Sequence, residues 1–499
     1  MSTPLPPRPN LHWLKNRAKD RLKELRAKKP AAKLAEAQLA VARDHGFASW
    51  RMLKAAVEAV QPDSKREESL VKQFREAINQ GRIADTRRLL ETEPLVRKNI
   101  NAPIFAFDSQ PIVHACHNSE MVDLLLEFGA DINVKTKWWA GGFGVLEHAH
   151  GKAARHLIRR GAVVDIFAAA NLGDIGRIKE LLANDPALVN AKGGDGGRPL
   201  HFAHSAEAID LLLDRGAEID ARDVDHESTP AQWALGSPSG AERVRHFIRR
   251  GASVDIFMLA AVNDVKPLRR LLKDDPAALT ARVGGKGYAP CPDAPGRHKY
   301  VYSLQEGKTP HQVAADFGSA AALQLLLENS TPTQRFIAAC STCDESAARA
   351  QLAKSPELLA SLAGDDLRAL SDAAWVGNAK AVRLMLDLGW NPLAMGIGTG
   401  TGLHCAAWHG RAAMVRMILS HPSVKKLGDQ PLNVIEATYK STPLGWCCHG
   451  STNCRNPRGN YPAVARMLLK AGAVPGPNAA DASEEVSKDL AAYTRRARI

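Results

Sequence analysis

The most metal-like group of side chains in this sequence lies near its C-terminal end, where Cys447, Cys448 and His449 are followed by Cys454. Zinc is held tetrahedrally by cysteine and histidine ligands, which commonly come in closely spaced pairs. Neighbouring residues of a helix point in different directions, so Cys447 and Cys448 are poorly placed to bind one ion. We therefore interpret both as small buried residues of a helix and expect no metal site.

Other groups have residue types suited to redox, nucleophilic or phosphate-binding chemistry. They are Cys340 with Cys343, His404-Cys405 with His409, His148 with His150, and the glycine-rich stretch 396–402. The cysteine pair has no thioredoxin-like βαβ pattern near it, and the glycines do not stand between a strand and a helix. The histidines occupy positions to which a repeat structure already assigns a role. The sequence therefore predicts no catalytic residue, no cofactor and no metal, and we expect a chain that is not an enzyme.

The chain is too long for one compact core. It has 499 residues, whereas single cores stop growing near about 250–300 residues, so several domains or a repeat array are expected. Hydrophobic residues make up 45% and charged residues 24%, which is typical of a folded protein. Aromatic residues are only 5%, and this favours helices built from alanine and leucine over a large sheet.

The net charge and the distribution of cysteines limit the possible partners and the cellular compartment. The net charge of +13 suits an acidic partner, an anionic surface or nucleic acid, but equally a protein that binds nothing anionic. The eight cysteines are scattered, the N-terminus lacks the apolar region of a signal peptide, and no stretch reaches the ~18 apolar residues of a membrane-spanning helix. We expect a cytoplasmic protein with free thiols.

Internal repeats decide the fold. Residues 155–167 read RHLIRRGAVVDIF, and 90 residues later 245–257 read RHFIRRGASVDIF. The segments that begin at Phe167 and Phe257 also match one another, and degenerate copies begin at Phe74 and Phe336. Each copy combines a short apolar helix, a turn and a longer leucine-rich helix with helical spacing of its apolar residues.

Units of a second type stand between these copies. Examples are GRPLHFAHSAEAIDLLLDRGAEID from Gly197 and GTGLHCAAWHGRAAMVRMILSHP from Gly400. These units resemble the ankyrin repeat, whose hallmark is T-P-L-H-x-A, a helical turn, and L-L-x-x-G-A. In this pattern a threonine caps a helix that begins with proline, and a glycine after the second helix adopts positive φ. The resemblance implies that His201, His311 and His404 bond the backbone of a neighbouring repeat.

The resemblance covers residues ~70–475 and predicts an all-α fold, an ankyrin-repeat solenoid of helix pairs joined by short hairpins. We divide the chain into a basic helical module over 1–62, the repeat array over 63–476 and a helical tail over 477–499. About twelve units begin near Phe74, Pro111, Val145, Phe167, Pro199, Pro230, Phe257, Pro310, Phe336, Leu370, Leu403 and Pro443.

The N-terminal module is strongly basic. Between Arg8 and Lys29 there are nine Lys or Arg and two acidic residues, a net charge of +7. The segment resembles a short helical module found ahead of ankyrin repeats in many bacterial proteins. Its basic helix could bind nucleic acid or an anionic surface, or it could be a solvated face that caps the array.

The array carries one long insertion, because 53 residues separate Phe257 from Pro310 where 32 separate Phe167 from Pro199. Tyrosine and arginine are favoured interface anchors, and surface loops on a rigid scaffold often carry function. The insertion and a shorter tryptophan-containing hairpin therefore supply the candidate partner-binding residues, which are Tyr288, Arg297, His298, Lys299, Tyr300, Tyr302, Trp138 and Trp139.

Two functions follow from these features. The first is a scaffold that binds a protein partner on the concave face of the repeats, with the insertion 283–307 touching that partner. The alternative is an adaptor tethered to nucleic acid or an anionic surface through residues 8–29, whose binding would weaken steeply with salt.

Overall fold

A computed structural model describes residues 11–29, 31–236, 239–285, 297–396, 399–454 and 456–496. The chain divides into two compact units, Met1–Leu172 with Gly193–Asp195, and Gly173–Lys192 with Gly196–Ile499. Throughout the described residues the regular elements are helices, and the one β-type pairing is an isolated bridge between Met395 and Thr401. Among these helices, none has both the length and the apolar character that crossing a membrane requires.

The first unit contains nine α-helices in the described residues. They are α1 Leu11–Lys28, α2 Leu34–Asp44, α3 Trp50–Asn79, α4 Ile83–Thr92, α5 Pro94–Lys98, α6 Pro111–His114, α7 Ser119–Glu127, α8 Gly151–Arg159 and α9 Ile166–Leu172. Val41 and Leu53 are buried where α2 meets α3, with Phe47 and Trp50 packed against them. The helix α3 continues without a break through residue 62, where the sequence predicts the end of the basic module.

The second unit begins with α10 Ile175–Asn184, α11 Pro199–Phe202, α12 Ala206–Asp214, α13 Pro230–Ala234, α14 Gly240–Arg249, α15 Ile256–Val262, α16 Val265–Asp274, α17 Pro310–Asp316, α18 Ala320–Glu328, α19 Pro332–Ser341 and α20 Glu345–Lys354. It continues with α21 Leu358–Ser361, α22 Ala369–Val376, α23 Ala379–Asp387, α24 Gly402–Trp408, α25 Ala412–Ser420, α26 Pro422–Lys425, α27 Gln430–Asn433, α28 Pro443–Asn453, α29 Tyr461–Ala471 and α30 Glu484–Arg496.

Helix pairs in both units begin and end as the repeat pattern predicts. Thr229 caps α13, because its hydroxyl accepts a hydrogen bond from the Gln232 backbone N–H at 3.4 Å, and Pro230 follows where no N–H is needed. Gly129 follows α7 with φ +90°, a conformation that a side chain would disfavour. The Ala130 N–H then reaches back to the Leu125 carbonyl at 3.0 Å and closes the helix end.

Buried histidines connect consecutive repeats of the second unit. His201 Nε2 donates to the Ser228 carbonyl at 3.1 Å, and His404 Nε2 donates to the Ser441 carbonyl at 3.2 Å, as the resemblance implies. His311 differs, because its Nε2 lies 2.9 Å from the hydroxyl of Ser330. Burial lowers the pKa of all three to about 4, so they remain neutral and each ring can accept at one nitrogen and donate at the other.

Candidate binding groove in the second unit

The insertion 283–307 is described at residues 283–285 and 297–307, and residues 297–307 pack against the repeat before them. Two backbone hydrogen bonds of 2.9 Å connect the beginning and the end of the insertion. The Val283 N–H donates to the Lys308 carbonyl, and the Gly307 N–H donates to the Val283 carbonyl. Val301–Gln305 forms a single π-helical turn. We call residues 297–307 the strap. Tyr288 lies outside the described residues.

Two of the predicted partner-binding residues are buried anchors of the strap. Tyr300 is fully buried, and its hydroxyl donates to Asp255 Oδ2 at 3.0 Å. His298 Nδ1 accepts from the Tyr300 backbone N–H at 3.2 Å, which leaves Nε2 to donate to Gln232 Oε1 at 3.3 Å. Burial lowers the pKa of His298 to about 4, which favours this neutral tautomer. These contacts fix the backbone of the strap against α13 and α15.

The other candidates of the strap face outward or lie at its edges. Tyr302 is 62% exposed, and Lys299 Nζ lies 3.8 Å above the Trp233 ring in a cation–π contact. Arg297 is exposed and forms an ion pair with Glu306, which raises its pKa. The strap thus combines a buried underside with an outer face of cationic and aromatic groups.

The remaining candidates, Trp138 and Trp139, belong to the first unit. Trp139 is 56% exposed, whereas Trp138 is half-buried and meets the Phe107 ring edge-on at 5.2 Å. The two indoles lie 6.2 Å apart. They form an aromatic cluster of their own in a hairpin, separate in the chain from the strap.

Beside the strap, a cavity of about 630 Å³ opens among later repeats of the same unit. We call it the tryptophan pocket. Its aromatic lining comes from the first helices of three repeats, Trp375 on α22, Trp408 on α24 and Trp446 on α28, with Tyr439 from the loop before α28. Arg297 and Glu306 of the strap, Ser441, Gly445, His449 and Asp481 complete the lining.

Trp446 is the floor of this pocket. Its side chain is buried, and its indole Nε1 has no hydrogen-bond partner among the described residues. Trp408 and Tyr439 each meet this ring at an interplanar angle of 71°, with centroids 5.9 Å and 6.1 Å away. A Cβ atom at Gly400 would come within 2.8 Å of the Trp446 ring, so glycine at that position makes room for the indole.

The charges of the pocket are carboxylates and one guanidinium. Glu306 pairs with Arg297, and Asp481 Oδ2 lies 3.3 Å from His449 Nδ1. Leaving His449 aside, the lining holds two acidic groups and one basic group. The net charge of the pocket is therefore negative, opposite in sign to the net charge of +13 of the whole chain.

A smaller cavity of about 260 Å³ also borders the strap and has a different lining. It is bounded by Lys299, Tyr302 and Ser303 of the strap, and by His201, His204, Trp233, Gly236 and Arg243 of the preceding repeats. Arg243 is buried and donates to the carbonyl oxygens of Ala203 and Ala234 at 3.0 Å and 3.3 Å. Together, the two cavities and the strap form what we call the binding groove.

Sequence reasoning missed the pocket tryptophans, although a signal was present. Trp375 and Trp408 are 33 residues apart, one repeat length, and Trp233 and Trp446 each stand third after the proline that begins a first helix. Tryptophan therefore recurs at related positions of the first helices, at positions that the T-P-L-H-x-A pattern leaves open. This recurrence indicates a shared surface.

The cysteine and histidine groups singled out in the sequence lie in structural positions. Cys447 and Cys448 are buried, His449 pairs with Asp481, and Cys454 Sγ contacts His409 Nδ1 at 3.4 Å. Burial raises the pKa of Cys340 and Cys405 to about 12, which disfavours the reactive thiolate. Cys291 lies outside the described residues.

Comparison with known proteins identifies the repeat type at one position. The sequence profile described as Ankyrin repeat matches residues 111–137, which hold α6, α7 and the hairpin after them. This stretch is an ankyrin repeat. The all-α repeat fold predicted from the sequence is confirmed.

A mouse protein, Ankyrin repeat and SAM domain-containing protein 6, is 32% identical over 93 residues. The match covers 18% of this chain and 10% of the mouse protein, so the chain spans about a tenth of the length of this relative.

Proposed function

We propose that this chain is a non-enzymatic scaffold that binds a protein partner along the binding groove. The observation that carries the proposal is the tryptophan pocket itself, in which Trp375, Trp408 and Tyr439 surround an accessible cavity of about 630 Å³. This volume is in the range of pockets that bury a ligand or an anchoring side chain. Ankyrin repeats generally mediate protein–protein interaction, which agrees with this assignment.

The groove has the composition of an interaction surface. Tryptophan, tyrosine and arginine are enriched among the residues that dominate binding energy at interfaces. The two aromatic side chains are also large and rigid, so they lose little conformational entropy when they are covered. Tyr302 and Tyr439 are 62% and 65% exposed, although both are large and partly apolar. Because Tyr300 and His298 hold the strap from below, its outer face is already ordered before a partner arrives.

The groove also agrees with the concave-face docking predicted from the sequence. The tryptophans lie on first helices of consecutive repeats, and the resemblance to ankyrin repeats implies that these helices line the concave face. A binding role, rather than a catalytic one, is supported by the neutral, hydrogen-bonded state of His404 and by the raised thiol pKa of Cys405.

The test is partner capture with the full chain, followed by affinity measurement on the partner identified by mass spectrometry. Tyr302→Ala and Trp408→Leu should each weaken binding by at least about tenfold, which corresponds to about 1.4 kcal/mol. Val474→Ala removes an exposed apolar side chain of the same unit that lines neither cavity, and it should leave the affinity unchanged. Wild-type affinity in both groove variants would reject the groove as the docking surface. The variant Trp139→Ala tests separately whether the first unit contributes.

A second candidate function rests on α1, where the side chains of Lys15, Arg17, Lys19 and Lys23 are exposed. Such a row of cations could tether the chain to nucleic acid or an anionic surface. Binding to duplex DNA or to vesicles rich in anionic lipid should then fall steeply with salt. Replacing Lys15, Lys19 and Lys23 together by glutamine should abolish that binding, and a flat salt dependence would contradict the tether.

A further inference from the structure

The tryptophan pocket has an aromatic lining and a negative balance of charge, and these two properties select the kind of side chain that it can receive. We propose that it binds a methylated ammonium group, presented as a methylated lysine side chain of the partner protein. The proposal rests on the proposed function and adds the chemistry of the group recognised.

The first reason is the arrangement of the rings. Trp408 and Tyr439 stand nearly perpendicular to Trp446, and Trp375 adds a fourth ring to the lining. An organic cation placed within about 6 Å of several such centroids is attracted by the electron-rich ring faces, with tryptophan the most favourable. A neutral apolar group of the same size gains only the burial of its surface.

The second reason is the charge around the rings. Glu306 and Asp481 bring two carboxylates to a lining that holds one guanidinium, that of Arg297. Arg297 and Tyr439 line the same pocket, so one cation already stands at its edge. A phosphate or a carboxylate would meet two like charges and one cation that is already paired.

The third reason is that a methylated ammonium and an unmodified ammonium differ in their need for hydrogen-bond acceptors. A primary ammonium has three N–H donors that need acceptors when they leave water, and burying such donors unpaired is costly. Full methylation removes those donors and leaves a diffuse cation that ring faces can surround. The cavity of about 630 Å³ is larger than one such group requires, which leaves space for residues that flank the lysine.

The experiment measures the binding of four small probes to the full chain by calorimetry and by tryptophan fluorescence. The probes are the N-acetyl amides of trimethyllysine and of lysine, choline, and the carbon isostere of trimethyllysine, in which a neutral tert-butyl group replaces trimethylammonium. We expect the trimethyllysine amide to bind at least about fivefold more tightly than its isostere and than unmodified lysine. Equal binding of the isostere would overturn the proposal, since the pocket would then read only apolar shape. Tighter binding of choline than of the trimethyllysine amide would overturn the lysine source.

Substitutions in the lining test whether the pocket prefers a positively charged ligand. Arg297→Ala removes the cation of the lining and frees Glu306, so it should tighten trimethyllysine binding by about twofold or more. Weakened binding in this variant would contradict cation recognition. Trp375→Leu and Tyr439→Ala should each weaken it by about fivefold, whereas Trp408→Phe, which keeps a ring, should lose less than Trp408→Leu. Phe317→Leu, which removes an exposed aromatic ring of the same unit that lines neither cavity, is the control and should have no effect.

Two outcomes would distinguish a failure of the methylated-lysine proposal from a failure of the scaffold proposal. If Trp408→Leu abolishes partner binding while no methylated probe binds the wild-type chain, the groove is the docking surface and the cation proposal is wrong. If trimethyllysine binds and the Trp408 variants lose it, but the partner binds them normally, the pocket recognises the cation but the partner does not present it, so the partner is the wrong source and the scaffold site lies elsewhere. Circular dichroism of each variant establishes that the helices are intact.

Discussion

The hydroxyl of Tyr300 donates a hydrogen bond of 3.0 Å to Oδ2 of Asp255, a residue 45 positions earlier in the chain that also caps α15 through the Met258 N–H at 2.9 Å. Gln232 Nε2 donates to the same carboxylate oxygen at 3.0 Å. A single buried side chain of the insertion is thereby connected to two helices of the repeat array. The strap is part of the folded unit and not a loop laid on its surface.

We expect Tyr300→Phe to destabilise the second unit by about 1–2 kcal/mol, because the half-buried Asp255 carboxylate loses one donor while the buried ring itself is kept. Urea unfolding followed by circular dichroism measures the change. Tyr302→Phe is the control, since that hydroxyl is on a side chain that is 62% exposed. Equal midpoints for the two variants would show that the Tyr300 hydrogen bond does not contribute to stability.

Buried histidines should make the protein sensitive to acid. The pKa of His201, His298, His311, His404 and His409 is lowered to about 4, chiefly by desolvation, whereas unfolding restores ordinary values near 6.5. Because the folded state binds fewer protons than the unfolded state between those values, their stabilisation is complete above about pH 6.5 and is lost as pH falls towards about 4. The free energy of unfolding should therefore drop between pH 7.5 and 5.

A single substitution checks the source of that acid sensitivity. The His404→Gln variant should have a lower free energy of unfolding than the wild type at pH 7.5. Between pH 7.5 and pH 5 the variant should lose less of this free energy than the wild type does, by about 2 kcal/mol at most. The raised pKa of Asp372, about 6, acts in the opposite direction, because its protonated form is favoured in the folded state and that stabilisation is lost as pH rises. A pH profile unchanged by His404→Gln would contradict the buried neutral imidazole.

Gly400→Ala should cost about 1–3 kcal/mol of stability and change the tryptophan fluorescence, because the new methyl group would lie 2.8 Å from the Trp446 ring and 2.9 Å from His404 Cβ. Thermal unfolding and emission spectra measure both effects. Gly476→Ala is a suitable control, since no atom lies within 4 Å of its added Cβ. An emission spectrum identical to the wild type would indicate that Gly400 does not set the position of Trp446.

We expect the C-terminal cysteine and histidine cluster to bind no zinc in the purified chain, because its side chains do not converge on one point. Cys447 Sγ donates to the Tyr461 carbonyl at 3.5 Å, Cys454 contacts His409, and His449 contacts Asp481. Elemental analysis after dialysis against a weak chelator measures the metal. One zinc per chain that disappears when Cys447, Cys448 and Cys454 are replaced together by alanine would refute this expectation.

Much of the repeat fold was predictable because its signals are local. Thr229 and Pro230 start a helix through contacts within four residues, and Gly129 ends one because its neighbours require a positive φ. The bonds made by His201 and His404 were also predictable, since the same position recurs in each repeat. His311 could not be assigned correctly in this way, because the Ser330 hydroxyl that replaces the backbone partner belongs to the individual repeat.

The binding groove was decided by the tertiary structure. Arg297 was predictable as a candidate from the composition of its loop, but its position beside Trp375, Trp408 and Trp446 depends on the path of the strap and on how successive repeats stack. The burial of Tyr300 and the exposure of Tyr302 likewise follow from one π-helical turn and one carboxylate, Asp255. Local sequence determines where helices begin and end, whereas the meeting of side chains far apart in the chain depends on the summed geometry of every repeat between them.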